Sequence, residues 1–294
     1  MNLTMKRMTI SVLFAIGVLF ASISCQKVFA SESDVLSAEE YNAQEENYII
    51  RLVGQRTNKD LKISDWRICL KYLRDNYAEL VNDSGVDREK IDSYINGYTL
   101  LEEDADMPDE KINNIIEPRA AYSPSKVTAY TNKYWNTHNP AYPNFDNKGG
   151  DCANFVSQAL KAGGKTMKGT VATNFSNWFC RTKSSNELSK ISSTWRGADA
   201  FGHYWMSNAK GYKNFSKSYF TSANKFKTVY NYGSAGDAIS LLNSNGRPYH
   251  TVVVSYKEDS KLKCAAHTEP HKWKSVYNIV REQSANGIRL YKMK

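Results

Sequence analysis

Cysteine is scarce in this chain, which has five in 294 residues. Cys25 lies in an apolar N-terminal segment, and the other four are too widely spaced for a disulfide scaffold. Stability must therefore come from a hydrophobic core, for which the length of one large or two moderate domains is sufficient. Histidine is also scarce. Residues 31–117 have none, so this part of the chain cannot supply a histidine base.

Several familiar motifs are missing. The sequence has no Gly-x-Ser-x-Gly elbow, no phosphate-binding loop and no dinucleotide fingerprint. No two cysteines lie close together, and His267 with His271 is the only histidine pair at ligand spacing. We therefore expect neither a metal nor another cofactor. Beyond the N-terminal segment, no run is long and apolar enough to cross a membrane.

The N-terminal segment has the order of a signal peptide. Lys6 and Arg7 precede an uncharged run over residues 8–24, and Ala30 is a suitable cleavage site. A membrane anchor is disfavoured because the run is short and contains serine and threonine. A lipoprotein at Cys25 is disfavoured because no aliphatic residue stands three positions upstream. We expect cleavage after Ala30 and a secreted or cell-surface protein.

Charge divides the remaining chain. Residues 31–117 have 21 acidic and 10 basic residues, whereas residues 118–294 have 9 and 26. Opposite charges predict intramolecular docking of the acidic part on the basic part, or an anionic partner of the basic part. Because the protein is predicted to be exported, anionic wall polymers are expected and nucleic acid is not.

Sequence patterns predict an acidic helical module over residues 31–101, a linker over 102–121 and a second domain over 122–294. Ser37 and Glu40 form a candidate capping box, and further helices are expected after Asp65 and Asp87. The linker is acidic and poor in large apolar residues. Ser123 precedes the first helix of the second domain. The acidic module is interpreted as an inhibitory pro-region, a spacer or a partner-binding module.

Cys152 is the strongest candidate for chemistry. It follows Gly149, Gly150 and the candidate N-cap Asp151, and an apolar helical stripe begins directly after it. The first turn of a helix favours a thiolate, which is the nucleophilic form of cysteine. The alternative is a small buried side chain with no chemical role. A nearby base would decide between these interpretations.

Two histidines are predicted to supply that base and its orienting partner. His250 begins a β-branched strand, and a short turn near Asp259 leads to a second strand that contains His267. Turns of two or four residues pair His250 with His267 on one face of the sheet, whereas a three-residue turn would place Ala266 or Thr268 opposite His250. Cys152, His250 and His267 would then act as nucleophile, base and orienting group.

These segments resemble the bacterial putative amidase domain family, which is related to the NlpC/P60 and CHAP papain-like cysteine hydrolases. The resemblance covers residues 122–294. It implies an α+β, papain-like fold in which a cysteine at a helix N-terminus packs on an antiparallel sheet. It also implies a cysteine-dependent amidase or peptidase with Cys152 and His250 as nucleophile and base. The segments that carry it are Asn139-Pro140 with Tyr142, residues 150–158, Gly236-Asp237, His250-Thr251 and Ala266-His267-Thr268.

We therefore expect an exported thiol amidase that forms an acyl-enzyme, with peptidoglycan peptides or another amide as its substrate. Tyr142, Gly150 and Asp151 are assigned to substrate or oxyanion binding. The alternatives are an inert wall-binding module and an extracellular protease. Residues 203–232 interleave lysines with aromatic residues, which indicates either a groove for saccharide or anionic polymer or a partly buried face of the domain.

Overall fold

The structure is a computed structural model that describes residues 36–113, 115 and 122–294. Its described residues form one compact α+β unit. The predicted signal peptide, its cleavage site and Cys25 lie outside the described residues. Among the helices that the structure describes, none is long and apolar enough to cross a membrane.

Four helices make up the N-terminal part of the described chain. They are α1 (Ala38–Thr57), α2 (Trp66–Asp75), α3 (Tyr77–Leu80) and α4 (Arg88–Glu103). The predicted capping box of Ser37 and Glu40 is confirmed, and Asp87 caps α4 by accepting a hydrogen bond from the Lys90 amide. The helices enclose a core of their own, which contains Ile49, Trp66, Leu73, Tyr94 and Tyr98.

Seven antiparallel strands form one sheet in the order β1-β2-β7-β3-β4-β5-β6. The first strand, β1, lies inside the predicted linker and pairs with β2 at the edge of the sheet. The predicted linker therefore contributes a strand to the sheet. The division of the chain into module, linker and second domain stays a prediction. The strands are β1 (Glu110–Ile112), β2 (Gly211–Ser216), β3 (Ala238–Leu242), β4 (Pro248–Glu258), β5 (Lys261–Ala266), β6 (His271–Ser275) and β7 (Gly287–Lys292).

The other six α-helices of the described chain cover the two faces of the sheet. One core cluster joins α6 and α8 to the face that contains Val253 and Ala265. The second joins α9 and α10 to the face that contains Val252 and Cys264. These helices are α5 (Pro124–Tyr134), α6 (Cys152–Ala162), α7 (Ser193–Arg196), α8 (Ala198–Asn208), α9 (Ala223–Tyr232) and α10 (Val276–Glu282).

The hairpin of β4 and β5 differs in register from the prediction. Its two-residue turn begins at Asp259, and both turn residues have positive φ (50° and 57°), as type I′ turns require. The turn displaces the pairing by two residues from the predicted one, and a bulge in β4 moves it back by one, so that Val253 pairs with Ala265. The predicted pairing of His250 with His267 is therefore wrong by one residue. A shift of one residue moves a side chain to the opposite face of a sheet.

The turn between β3 and β4 inserts into the N-terminal helices. Arg247 from this turn is buried, and its guanidinium contacts Glu45 Oε1 at 2.5 Å, Asp199 Oδ2 at 3.1 Å and Glu46 Oε1 at 3.7 Å. Asn243 Nδ2 also donates to Glu46 at 3.3 Å. The helices and the sheet are thus joined by a buried ionic cluster.

The lysine-rich and aromatic stretch at residues 203–232 does not form an exposed aromatic groove. Tyr212, Phe215, Phe220 and Phe226 are buried in the two cores, while Lys217, Lys225 and Lys227 are exposed. The structure therefore favours the interpretation of this stretch as a partly buried basic face.

Candidate active site

Cys152 is the first residue of α6 and lines a cleft of about 900 Å³. Its side chain is buried but lines this space. Gly149 and Gly150 have φ of +83° and +102°, so the backbone before the cysteine adopts a conformation that favours glycine. Besides these three residues, the cleft is lined by Tyr41, Asn96, Arg196 and Pro248.

Burial sets the protonation of the Cys152 thiol. Desolvation raises its pKa to about 11, and contact with the Thr251 amide offsets this only in part. The position at a helix N-terminus favours the thiolate, as the sequence predicted, but the loss of water outweighs that effect. In the structure Cys152 is thus a neutral thiol that needs a base before it can attack. All four cysteines of the described chain are free.

Asp151 does not cap α6 as predicted, because its carboxylate is used elsewhere. Its Oδ1 accepts hydrogen bonds from the Phe145 amide at 2.9 Å and from Asn154 Nδ2 at 2.7 Å. Its Oδ2 lies 2.8 Å from His267 Nδ1. Asp151 is fully buried, so these three contacts replace water around the carboxylate. The residue next to the cysteine therefore contacts an imidazole through its second carboxylate oxygen.

His267 lies on the same side of the sheet as Cys152. Its ring stacks on Phe155, with centroids 4.0 Å apart, and Phe155 stands one helical turn after Cys152. Its Nε2 donates to the Tyr134 carbonyl at 2.7 Å, while Nδ1 faces Asp151. Both ring nitrogens therefore face acceptors, and in this arrangement neither can take a proton from the thiol.

His250 is not brought together with either Cys152 or His267. Side chains alternate along β4, so His250 shares its face with Val252, whereas Cys152 packs in the cluster of the opposite face. Neither nitrogen of His250 has a hydrogen-bond partner among the described residues. Burial, followed by the nearby His271, lowers its pKa to about 3. The three-residue arrangement expected from the sequence is not present.

Residues 121–291, more than half of the chain, match the profile of a family described as the putative amidase domain. The chain belongs to this family. A relative, the uncharacterized protein YhbB of Bacillus subtilis (strain 168), is 52% identical over 40 residues, which are 14% of this chain and 12% of that protein. The chain thus matches only about an eighth of that relative. No solved structure matches significantly.

Membership of the amidase family supports an enzyme, specifically a hydrolase. The comparisons provide no link to NlpC/P60 or CHAP proteins, and the papain-like architecture stays a prediction. Residues 36–113 of the described chain precede the matched region, so the N-terminal helices lie outside the match to the amidase family.

The residues assigned to substrate or oxyanion binding have different surroundings. Gly150 lines the cleft. The Asp151 amide donates to Thr268 Oγ1 at 2.8 Å and is therefore already paired. Tyr142 stacks on Trp195 with centroids 5.8 Å apart, where it packs against the core of the amidase domain. Among the three, only Gly150 borders the cleft.

The N-terminal helices supply one wall of the cleft, which sequence patterns did not predict. Tyr41 of α1 lies over Gly149, where an added Cβ would be 3.5 Å from its ring. Asn96 of α4 also lines the space, as does Arg196 of the amidase domain. The Arg196 Nε is buried and has no hydrogen-bond partner among the described residues. The charge difference between the two parts was the one sequence signal for such a contact.

His138 is a further member of the site that the sequence analysis left aside. Its ring lies edge-on to His267, with centroids 4.9 Å apart. Its Nε2 lies 3.0 Å from Asp146 Oδ2 and 3.9 Å from Asp151 Oδ2. The loop that leads to Cys152 contains both His138 and Asp146, and this proximity in sequence was the available signal.

Proposed function

We propose that the protein is a cysteine-dependent amide hydrolase with Cys152 as its nucleophile. One observation carries the proposal: Cys152 begins a helix and lines a cleft of about 900 Å³, within the region that matches the amidase family. The two preceding glycines let a substrate approach the backbone closely. The first amide of a helix has no partner within the helix, so the Cys152 N–H is available to an oxyanion.

His267 is the base in this proposal, and Asp151 orients it. Nδ1–H donates to Asp151, and Nε2 carries the lone pair that accepts the thiol proton. A lone pair cannot face the Tyr134 carbonyl, so the neutral ring must turn away from Tyr134 towards the cleft. The imidazole supported by a carboxylate is on the correct face of the sheet, which is the reason to prefer it to His250.

The reaction proceeds by acyl transfer. The Cys152 sulfur bonds to the amide carbon, and the carbonyl electrons move to oxygen. The C–N bond then breaks as the imidazolium of His267 protonates the departing amine. Water, deprotonated by the same imidazole, adds to the thioester, and the thiol is released with the carboxylic acid.

A peptide of the cell wall is the proposed substrate, and the proposed location is outside the cell. The charged and apolar pattern at residues 1–30 supports export. Arg196 supports a substrate with a carboxylate near the scissile amide, because this residue lines the same cleft as Cys152. Wall peptides contain such carboxylates. Anionic wall polymers are proposed partners of the exposed lysines of the basic face.

Cys152→Ala tests the nucleophile, with Cys180→Ala as the matched control because both side chains are 6% exposed. Purified peptidoglycan is digested, and released peptides are measured by mass spectrometry. We expect C152A to release nothing above background and C180A to retain activity. Equal release by C152A and the unmodified protein would refute the thiol mechanism. An inert wall-binding module would release nothing in any form, and an extracellular protease would cleave protein but not peptidoglycan.

His267→Gln and His250→Leu test the choice of base. Loss of a general base typically lowers the rate by a factor of about 10²–10⁴, so we expect that loss for H267Q. H250L removes two buried nitrogens that have no partner, so fold and rate should both be retained. The opposite result, with H250L inactive and H267Q active, would return the role of base to His250.

A further inference from the structure

Three potential metal ligands lie close together near the proposed nucleophile: His138, Asp151 and His267. Their ligand atoms all lie within 4.8 Å of one another. Asp151 Oδ2 is central, at 2.8 Å from His267 Nδ1 and 3.9 Å from His138 Nε2. Ligand atoms about 2.0–2.1 Å from a tetrahedral zinc ion are about 3.3 Å apart. The two distances bracket this value, so an ion requires only small movements of the side chains.

The surroundings of these side chains are those of metal ligands. His267 directs Nδ1 into the cluster, and its Nε2 donates to the Tyr134 carbonyl, which is the usual outer contact of a ligating imidazole. The outer oxygen of Asp151 is held by the Phe145 amide and by Asn154 Nδ2. Ligating carboxylates are generally supported in this way. Each inner ligand is thus oriented by contacts behind it.

A metal ion also resolves the hydrogen bonding of His267. Without an ion, both of its nitrogens face acceptors, whereas a neutral imidazole has one hydrogen to donate. With an ion on Nδ1, a neutral imidazole keeps its hydrogen on Nε2 for the Tyr134 carbonyl. Asp146 adds a second negative charge beside His138, at 3.0 Å from its Nε2.

We propose that His138, Asp151 and His267 bind one divalent transition-metal ion of the zinc type. Two imidazoles and a carboxylate favour such an ion over magnesium or calcium, which prefer oxygen ligands. His138 has a side chain that is 37% exposed, so the ion can enter from solvent and a water molecule can complete the coordination.

The ion would act as an inhibitor of hydrolysis, a consequence that rests on the proposed function. Coordination fixes the imidazole of His267 in its present orientation, with its hydrogen on Nε2 towards Tyr134. The ring then has no lone pair for the Cys152 thiol. Binding of the ion itself does not depend on hydrolysis and can be measured in a chain that lacks the thiol.

The test uses residues 31–294 carrying C152A, freed of metal with a chelator and titrated with zinc chloride by calorimetry. We expect one ion per chain and at least tenfold weaker binding in the H138A variant. His203→Ala is the matched control because His203 Nδ1 also lies 2.9 Å from a carboxylate, that of Asp104. It should leave the affinity unchanged. When cobalt replaces zinc, the C152A chain that retains His138 should show the visible absorption of a four-coordinate ion.

Absence of zinc binding would overturn the proposal, as would equal affinity in H138A or equal weakening by H138A and H203A. If zinc binds but no amide is cleaved with or without chelator, the metal site stands and the proposed function fails. In an active chain with Cys152 intact, zinc should inhibit hydrolysis, and H138A should raise the half-inhibitory concentration at least tenfold. Activity that zinc does not lower would refute the inhibitory role.

Discussion

Arg247→Met should strongly destabilise the protein, because it removes the cation from the ionic cluster between the helices and the sheet. The guanidinium contacts Glu45, Glu46 and Asp199, and the side chains of Arg247, Glu45 and Glu46 are at most 6% exposed. Methionine keeps most of the apolar stem but leaves buried carboxylates without a cation. Breaking a buried ion pair in this way costs about 3–5 kcal/mol. This is a large part of the ~5–15 kcal/mol that stabilises a typical domain.

Urea unfolding at pH 7, followed by circular dichroism, measures this loss. Arg56→Met is the control, because Arg56 also contacts two carboxylates, those of Glu79 at 3.1 Å and Asp83 at 2.5 Å, but its side chain is 35% exposed. Exposed pairs contribute about 0–1 kcal/mol, so R56M should have a small effect. A loss for R247M no greater than that for R56M would refute the idea that the cluster joins the two parts.

Three further predictions concern single sites. Burial raises the pKa of Glu46 from 4.5 to about 7. Between these two pH values the folded protein keeps a proton on Glu46 that the unfolded chain has lost. The free energy of unfolding should therefore fall by about 1–3 kcal/mol as pH rises through that window. Urea unfolding across this range should show the slope, and E46Q should reduce it. Because the pKa of Cys152 is about 11, its alkylation by iodoacetamide should accelerate about tenfold per unit from pH 7 to 9. A plateau below pH 8 would contradict a buried neutral thiol. Gly150→Ala should lower the free energy of unfolding by about 1–3 kcal/mol, because φ is +102° and the added Cβ would be 3.0 Å from Thr268 Oγ1. Gly246→Ala provides the control, since that position has φ of +86° but no atom within 4 Å of the added Cβ. Thermal unfolding measures the stability of both variants, and equal losses of stability would exclude crowding by Thr268 as the cause.

Local sequence patterns were sufficient for much of the secondary structure. The capping box at Ser37 and the start of α6 at Cys152 were predicted because capping and apolar periodicity act within a few residues. The α+β class was instead implied by the resemblance to the amidase family, and the structure agrees with it. The strands of the hairpin were predicted with small errors at their ends, since β-branched residues and turn residues are local signals too.

The active site was harder to predict, because its geometry depends on features that sequence patterns do not reveal. Positive φ in the turn after β4 and a bulge within the strand set the pairing of β4 with β5, and with it the face of the sheet on which each histidine lies. The carboxylate of Asp151 could serve as a helix cap or contact an imidazole, and only the path of the loop around it decides. Burial of the thiol likewise depends on packing from distant parts of the chain.

The pairing of β1 with β2 has a consequence for proteolytic processing. A protease that cut between β1 and α5 would break the chain but not the contacts that hold its two fragments. Three paired residues of β1 and the buried guanidinium of Arg247 would still join them. The nicked protein should therefore elute as one species under native conditions and separate only in denaturant. Removal of the N-terminal helices from the cleft would require unfolding as well as cleavage.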